Sequence, residues 1–306
     1  MDVTCGVAAG RRCDGRPAAR WRSSAVEVAG LTSLPDQTDV GAVLAAIDWA
    51  RPWFSTTATL GRYAAGASDW RAALDLEAGR RSLCNAAGKP IRFVPQASLP
   101  AGCAYEAHIH ASGEVPTRIN PHDFFNALIW LAFPRIKACL NARQAAEIAR
   151  AGIGAERGRA RDAATLFDEN AVLFACSDMT MADTLGRFDW HDLMLGRRAD
   201  WGQCCEALVF GHALLEKLVW PYKSITAHAW VVPVDGEFFS LAPAERISEL
   251  DRRVAASLRD SPLHSAMFAP LPVLGIPGWW PANEDASFYA DTSVFRTGRR
   301  RTVAAC

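Results

Sequence analysis

The sequence predicts an α+β fold of short hairpins and mixed strands packed with helices, with a loop-rich aromatic C-terminal segment. Three observations carry this. Segments with apolar residues three and four apart read as helices, and shorter β-branched or aromatic runs read as strands. The two kinds are interleaved irregularly along the chain. Over the last forty residues, Pro270, Pro272, Gly275, Pro277 and Gly278 break any regular element, while Trp279, Trp280, Phe288 and Tyr289 supply apolar area that has to dock on the body.

Taken in order, Asp39 to Ala50 has helical spacing and is closed by Arg51-Pro52. A second helix is expected over Trp70 to Arg81, and a strand over Pro90 to Val94. Tyr105 to His110 alternates as a strand would. With Ser112-Gly113 as the turn and Val115 to Arg118 as the return, it predicts a hairpin. Asn120 then offers a side-chain cap and Pro121 a first helical residue without an amide to satisfy, so a helix begins there and runs to Pro134. Arg135 to Ala151 continues as a helix ended by Gly152, and residues 154–161 form a glycine- and arginine-containing connector. Ala163 to Phe167 and Ala171 to Cys176 read as two strands joined at Asp168-Glu169-Asn170. Cys204 to Phe210 is a strand, Gly211 to Leu218 a short helix stopped by Pro221, Ser224 to Val234 a strand and Ala242 to Leu258 a helix.

Composition narrows the function classes. Half of the 306 residues are hydrophobic and 22% are charged, as in a globular protein with a substantial core. Lys plus Arg and Asp plus Glu are 33 each, so the net charge is zero, which argues against nucleic acid as a partner. No apolar run approaches the ~20 residues of a membrane span, so no membrane partner is expected. Residues 1–30 are rich in Arg, Ala and Gly and read as a disordered lead-in. Residues 31–300 read as a single domain, and residues 301–306 as a flexible tail. Nine cysteines lie scattered without metal-ligand spacing and are expected as reduced thiols of a cytoplasmic protein.

The candidate chemistry gathers on two helical pairs. His122 and Asn126 stand four apart on the helix capped by Asn120, and His212 and Glu216 stand four apart on the short helix. An imidazole serves as a general acid, a general base or a metal ligand. The four are therefore the candidate catalytic residues, and His122, His212 and Glu216 are the candidates for a divalent metal. Arg118, Asp123, His228 and Trp279 are the candidate substrate-binding residues, with Arg118 beside a helix start that favours anions. Each has a structural alternative. Asp123 would cap its helix, Arg118 would pair with Glu114 or Glu106, and the polar pairs would brace their helices. His108 and His110 would share a strand face with Glu106, and His191 and His264 would be exposed. Arg157, Arg159 and Arg161 read as a solvated charge cluster. There is no P-loop, no GxGxxG, no GxSxG and no HExxH.

Several segments in order make the chain resemble the bacterial family catalogued as domain of unknown function 3025. They are Pro116-Thr117-Arg118, His122-Asp123-Phe124-Phe125-Asn126, Arg159-Ala160-Arg161-Asp162, Gly211-His212-Ala213-Leu214-Leu215-Glu216-Lys217, Thr226-Ala227-His228 and Pro270-Leu271-Pro272 through Trp279-Trp280. The resemblance spans roughly residues 35 to 300 and implies a single-domain bacterial protein without an assigned activity. A hairpin followed by a helix bearing His and Asn also resembles the metal-finger core of HNH-type nucleases. That likeness would give roles to His122, Asp123, Asn126 and Asn141, although the loop between His and Asn is missing here. The leading expectation is an acid–base or metal-assisted hydrolase-like enzyme acting on a small polar or anionic substrate. His122, Asn126, Arg118, His212 and Glu216 would share one cleft, with the C-terminal aromatic loop as its wall or lid. The alternative is a non-catalytic binding or scaffold protein with a protein partner.

Overall fold

The computed structural model describes residues 39–151, 159–261 and 263–298. The expected lead-in over 1–30, the tail over 301–306, the helix stop at Gly152 and most of the 154–161 connector lie outside the described residues. The chain runs α1 (Val40–Ala46), α2 (Ala58–Ala65), α3 (Trp70–Arg80), β1 (Arg92–Pro95), α4 (Tyr105–Ser112), β2 (Glu114–Thr117), α5 (Pro121–Ala132) and α6 (Pro134–Ala151). It continues with α7 (Arg159–Asn170), β3 (Ala171–Cys176), α8 (Met179–Arg187), β4 (Cys205–Val209), α9 (His212–Lys217), β5 (Thr226–Pro233), α10 (Pro243–Asp260) and β6 (Phe268–Pro272). The α+β expectation holds.

Two sheets organise these elements. The larger has the order β4-β3-β5-β6, with β3 parallel to β5 and antiparallel to β4, and β5 antiparallel to β6. Every residue of β3 is buried, as expected for a central strand covered on both faces. The smaller sheet pairs β1 with β2 in parallel. Phe167 of α7 fixes that helix to the larger sheet. Its ring stacks on Phe210 and Phe268 at 4.8 and 5.6 Å and meets Trp230 at 4.8 Å. Beside it, α5 buries Phe124, Phe125, Leu128 and Ile129 completely. Each large side chain so enclosed stabilises the fold by about 1.5–3 kcal/mol relative to exposure.

Two expected hairpins are absent. Residues 105–110 form a helix, not a strand. Their alternation is too short to specify a face, and only Ile109 of α4 is buried. Gly113 ends the helix with φ +81°, and its amide donates to Ile109 O at 2.8 Å, so the predicted turn residue is a left-handed cap. Because no hairpin precedes α5, the likeness to the HNH core loses its geometric basis. Residues 163–167 belong to α7. Ala163, Ala164 and Phe167 all face inward at helical spacing, and a five-residue apolar run does not separate a helix from a strand. The loop-rich C-terminal segment is confirmed, except that it begins with strand β6, where Pro270 and Pro272 sit at a sheet edge.

The junctions are closely determined. Asn120 caps α5 as expected, accepting from the Asp123 amide at 2.7 Å. The α6 N-terminus is capped from another element: Asp251 of α10 accepts from the amides of Arg135 and Ile136 at 3.1 and 2.9 Å. Gly211, just before α9, lies against the α7–β3 junction and donates to Ala171 O at 2.8 Å. A Cβ there would stand 2.5 Å from Glu169 O and 2.6 Å from Ala171 N. Gly211→Ala is therefore expected to lower the unfolding free energy by about 2–4 kcal/mol, read from urea denaturation, because both obstacles are backbone.

Candidate functional site

The geometry of α9 determines the site. With 3.6 residues per turn, His212 and Glu216 project from one face, and both reach the His122 ring at the start of α5. His122 Nδ1 lies 3.0 Å from Glu216 Oε2, and His122 Nε2 lies 3.1 Å from His212 Nε2. The two imidazoles cross edge to face, 4.6 Å apart at 78°. The Gly211 contact brings His212 against the end of α7, where its Nδ1 faces Asp168 with Oδ2 at 3.7 Å. Asp168 Oδ1 in turn accepts from Lys137 of α6 at 2.6 Å. Lys137 also donates to Asn126 Oδ1 at 2.9 Å, and Asn126 reaches the Tyr105 hydroxyl at 3.4 Å. One polar chain therefore joins Glu216, His122, His212, Asp168, Lys137, Asn126 and Tyr105 across five helices.

Burial and charge fix its protonation. The Glu216 carboxylate on Nδ1 raises His122 above the ordinary imidazole value, outweighing burial. Burial drives His212 down to about 4, against the pull of Asp168. Burial also acts to raise Asp168, but Lys137, His212 and His122 together leave it below the usual carboxylate range. The proton assignment these shifts and contacts favour is an imidazolium at His122 donating from both nitrogens. His212 is then neutral and accepts at Nε2, with its Nδ1 facing the Asp168 carboxylate beyond hydrogen-bond range. Burial holds the Tyr105 hydroxyl well above its ordinary value and also raises Glu106, against Lys137 and the Asn141 amide that donates to it at 2.7 Å.

This chain borders a cavity of about 470 Å³, lined by Tyr105, Glu106, His122, Asn126, Asp168 and His212 among others. The volume suits a small molecule. Arg118 and Asp123 also line it, but they are engaged with each other. Asp123 accepts from the Arg118 amide at 2.6 Å and from its guanidinium at 3.1 and 2.9 Å. The anion-binding reading of Arg118 is corrected accordingly, since most of its fork is closed on a carboxylate one turn away. Arg161, placed by sequence in a solvated cluster, is half-buried and lines the cavity, whereas Arg157 lies outside the described residues.

The convergence of His122, Asn126, His212 and Glu216 is present, with Arg118 at the rim. His228 and Trp279 are elsewhere. His228 sits on β5 opposite Pro270, its ring 6.4 Å from Phe268. Trp279 packs on Trp53 at 6.2 Å. The aromatic loop is neither wall nor lid. It is folded on itself by Asn283, which donates to Leu274 O and Ile276 O at 2.9 and 2.7 Å, and by Tyr289, which donates to Gly275 O at 2.7 Å. The metal set also fails geometrically. Glu216 and His212 hold opposite nitrogens of the His122 ring, so the three do not face a common ion. No group of three or more His, Cys, Asp or Glu side chains among the described residues could hold a metal. His108 lies beside Glu114 at 3.3 Å on α4, and His191 and His264 are exposed as expected.

Lys137, Asp168, Tyr105 and Glu106 were missed as site residues. One signal was available: Lys137 is one of four lysines in an arginine-rich chain and interrupts an apolar helical face.

Residues 91–299 match the family described as Protein of unknown function (DUF3025). The chain belongs to this family. No curated protein and no solved structure matches it. The match takes in His122, Asn126, Lys137, Asp168, His212 and Glu216, so the whole polar chain lies within the shared domain.

Two outcomes follow from the enclosed charges. Lys137 and Asp168 are 6% and 13% exposed. Lys137→Met strands the Asp168 charge and is expected to cost about 3–5 kcal/mol in denaturant unfolding, while the double variant Lys137→Met/Asp168→Asn recovers most of the loss. His212 is neutral when folded but takes a proton when unfolded. Its contribution is therefore complete above pH ~6.5 and is lost as pH falls toward about 4. Asp251, raised to about 6 by burial, and Glu106 act with opposite sign in acid. The effect is thus read as a difference. The stability gap between the unmodified protein and His212→Asn should shrink by about 3 kcal/mol over that interval.

Proposed function

We propose that the protein is an acid–base catalyst of hydrolase type, working in the cytoplasm on a small polar or anionic substrate. The observation that carries this reading is a histidine held at both ring nitrogens at the edge of a small-molecule cavity. Glu216 on Nδ1 orients the His122 ring and retains a proton there, as the carboxylate does in nucleophile–histidine–carboxylate systems. The Nε2 proton is the mobile one. At rest His122 donates it to Nε2 of the enclosed, uncharged His212. To protonate a leaving group in the cavity, His122 exchanges that bond for one to the substrate, and with the ring neutral it withdraws a proton from an attacking water. Tyr105, kept protonated by burial, and Glu106 supply further hydrogen bonds at the inner wall. Arg161, which makes no ion pair among the described residues, gives the cavity a positive edge for an anionic group. The six described cysteines are free thiols, in keeping with a cytoplasmic setting.

The test has two arms. In heteronuclear NMR, His122 should titrate above the ordinary value of ~6.5, and Glu216→Gln should lower it toward that value. In a screen of small ester, amide and phosphoester substrates, His122→Asn should lower turnover by about 10²–10⁴ while the melting temperature stays within a few degrees. A competing reading draws on the enclosed Lys137–Asp168 pair, which braces α5, α6 and α7 whether or not chemistry takes place. If no hydrolytic turnover depends on His122 while small polar ligands still bind, the protein is a binding or scaffold module.

A further inference from the structure

A second concavity lies away from the polar chain. A groove of about 1220 Å³ runs between the outer face of α6 and α10, closed at one end by the 55–60 segment and the end of α3. Its floor is apolar and shallow-sided: Leu83, Leu131, Ala138, Cys139, Ala142 and Ile247 line it. From Arg135 to Ala146, α6 contributes eleven residue steps, a length of about 16 Å.

The charges on this groove are not evenly matched. At the α3 end, Arg135 stands 3.8 Å from the Asp251 carboxylate and Arg81 is paired with Glu77 at 2.7 Å. At the other end, Arg143 and Arg259 have no carboxylate partner among the described residues. Arg143 donates to backbone carbonyls only, those of Leu258 and Ser261. Arg259 is exposed and unpaired. Both arginines line the groove together with Cys139. The groove thus has one uncompensated cationic end and an apolar trough leading away from it.

We propose that this groove binds a single-chain amphiphilic carboxylate, with its head between Arg143 and Arg259 and its chain laid over Ala142, Ala138 and Leu131. From Arg143 back to Arg135 is eight residue steps, about 12 Å, which matches an extended chain of roughly ten carbons. The site is independent of the His122 chemistry.

The experiment is calorimetric titration of the full chain with sodium decanoate and, separately, with decyltrimethylammonium bromide, both below their micellar concentrations. Saturable one-to-one binding of decanoate with at least tenfold weaker binding of the ammonium amphiphile is expected. Arg259→Glu, at an exposed and unpaired position, should weaken decanoate about tenfold. Ala142→Phe, which fills the trough, should weaken both. Equal affinity for the two amphiphiles, no decanoate binding, or an unchanged affinity in Arg259→Glu overturns the proposal. So does a concentration-dependent dimer in sedimentation that decanoate fails to dissociate. If Ala142→Phe does not fold, Arg259→Glu decides alone.

Discussion

The contact between the Lys137 ammonium and the Asp168 carboxylate, 2.6 Å long and almost wholly enclosed, is the constraint around which the centre of the molecule is arranged. Two unlike charges out of water are tolerated only when each has its remaining valences filled. Lys137 fills one of its own through Asn126 of α5, and Asp168 faces the ring of His212 on α9. The pair therefore has to be built where α5, α6, α7 and α9 meet, and those helices have little freedom to meet elsewhere. Counted along the chain, Glu216, His122, Asp168 and Lys137 alternate in sign, and His212 is neutral between them. The cluster is electrically balanced, and its one protonated imidazole sits at the half-exposed end.

The alignment of the two histidines rests on backbone proximity. Only glycine allows the start of α9 to lie against Glu169 and Ala171, and that closeness is what sets His212 beside Asp168. From there a single helical turn places Glu216 on the far nitrogen of His122. A six-residue helix thus holds both sides of one ring, and His122 has no rotational freedom that would not break a hydrogen bond. The Arg118–Asp123 pair acts differently. It is a local clamp between the strand end and the first turn of α5, and it fixes where the helix begins without touching the ring.

Local signals served well where one element decides the outcome. The Asn120 cap, Pro121 at the first helical position, and the His122–Asn126 and His212–Glu216 spacings are all properties of a single helix, and each was legible. What failed was decided by distant chain. Tyr105 to His110 alternates, but the cap at Gly113 and the packing of Ile109 make it a helix. Asp168 looked like a turn residue because the run before it is short. It became the hub only because α7 lays Phe167 across the rings of Phe210, Trp230 and Phe268. Trp279 offered a large apolar face in a loop, but nothing in its neighbours along the chain says that Trp53 will cover it.

The longest helices show how one amphipathic pattern can serve two concavities. On α6, Lys137, Asn141, Gln144 and Ile148 follow one stripe at helical spacing, toward the polar cavity and the residues around it. Arg135, Ala138, Ala142 and Ala146 follow another, toward the apolar groove. In the first stripe Lys137 and Asn141 donate to side chains of other helices. Beyond Arg135 the second is cut down to methyl groups, which leaves space between α6 and α10. The rotation of this helix is fixed from outside. Asp251 does this at the N-terminus, accepting from two amides that no residue of α6 could satisfy. Lys137 does it one turn later, because any rotation of α6 would withdraw its ammonium from Asp168.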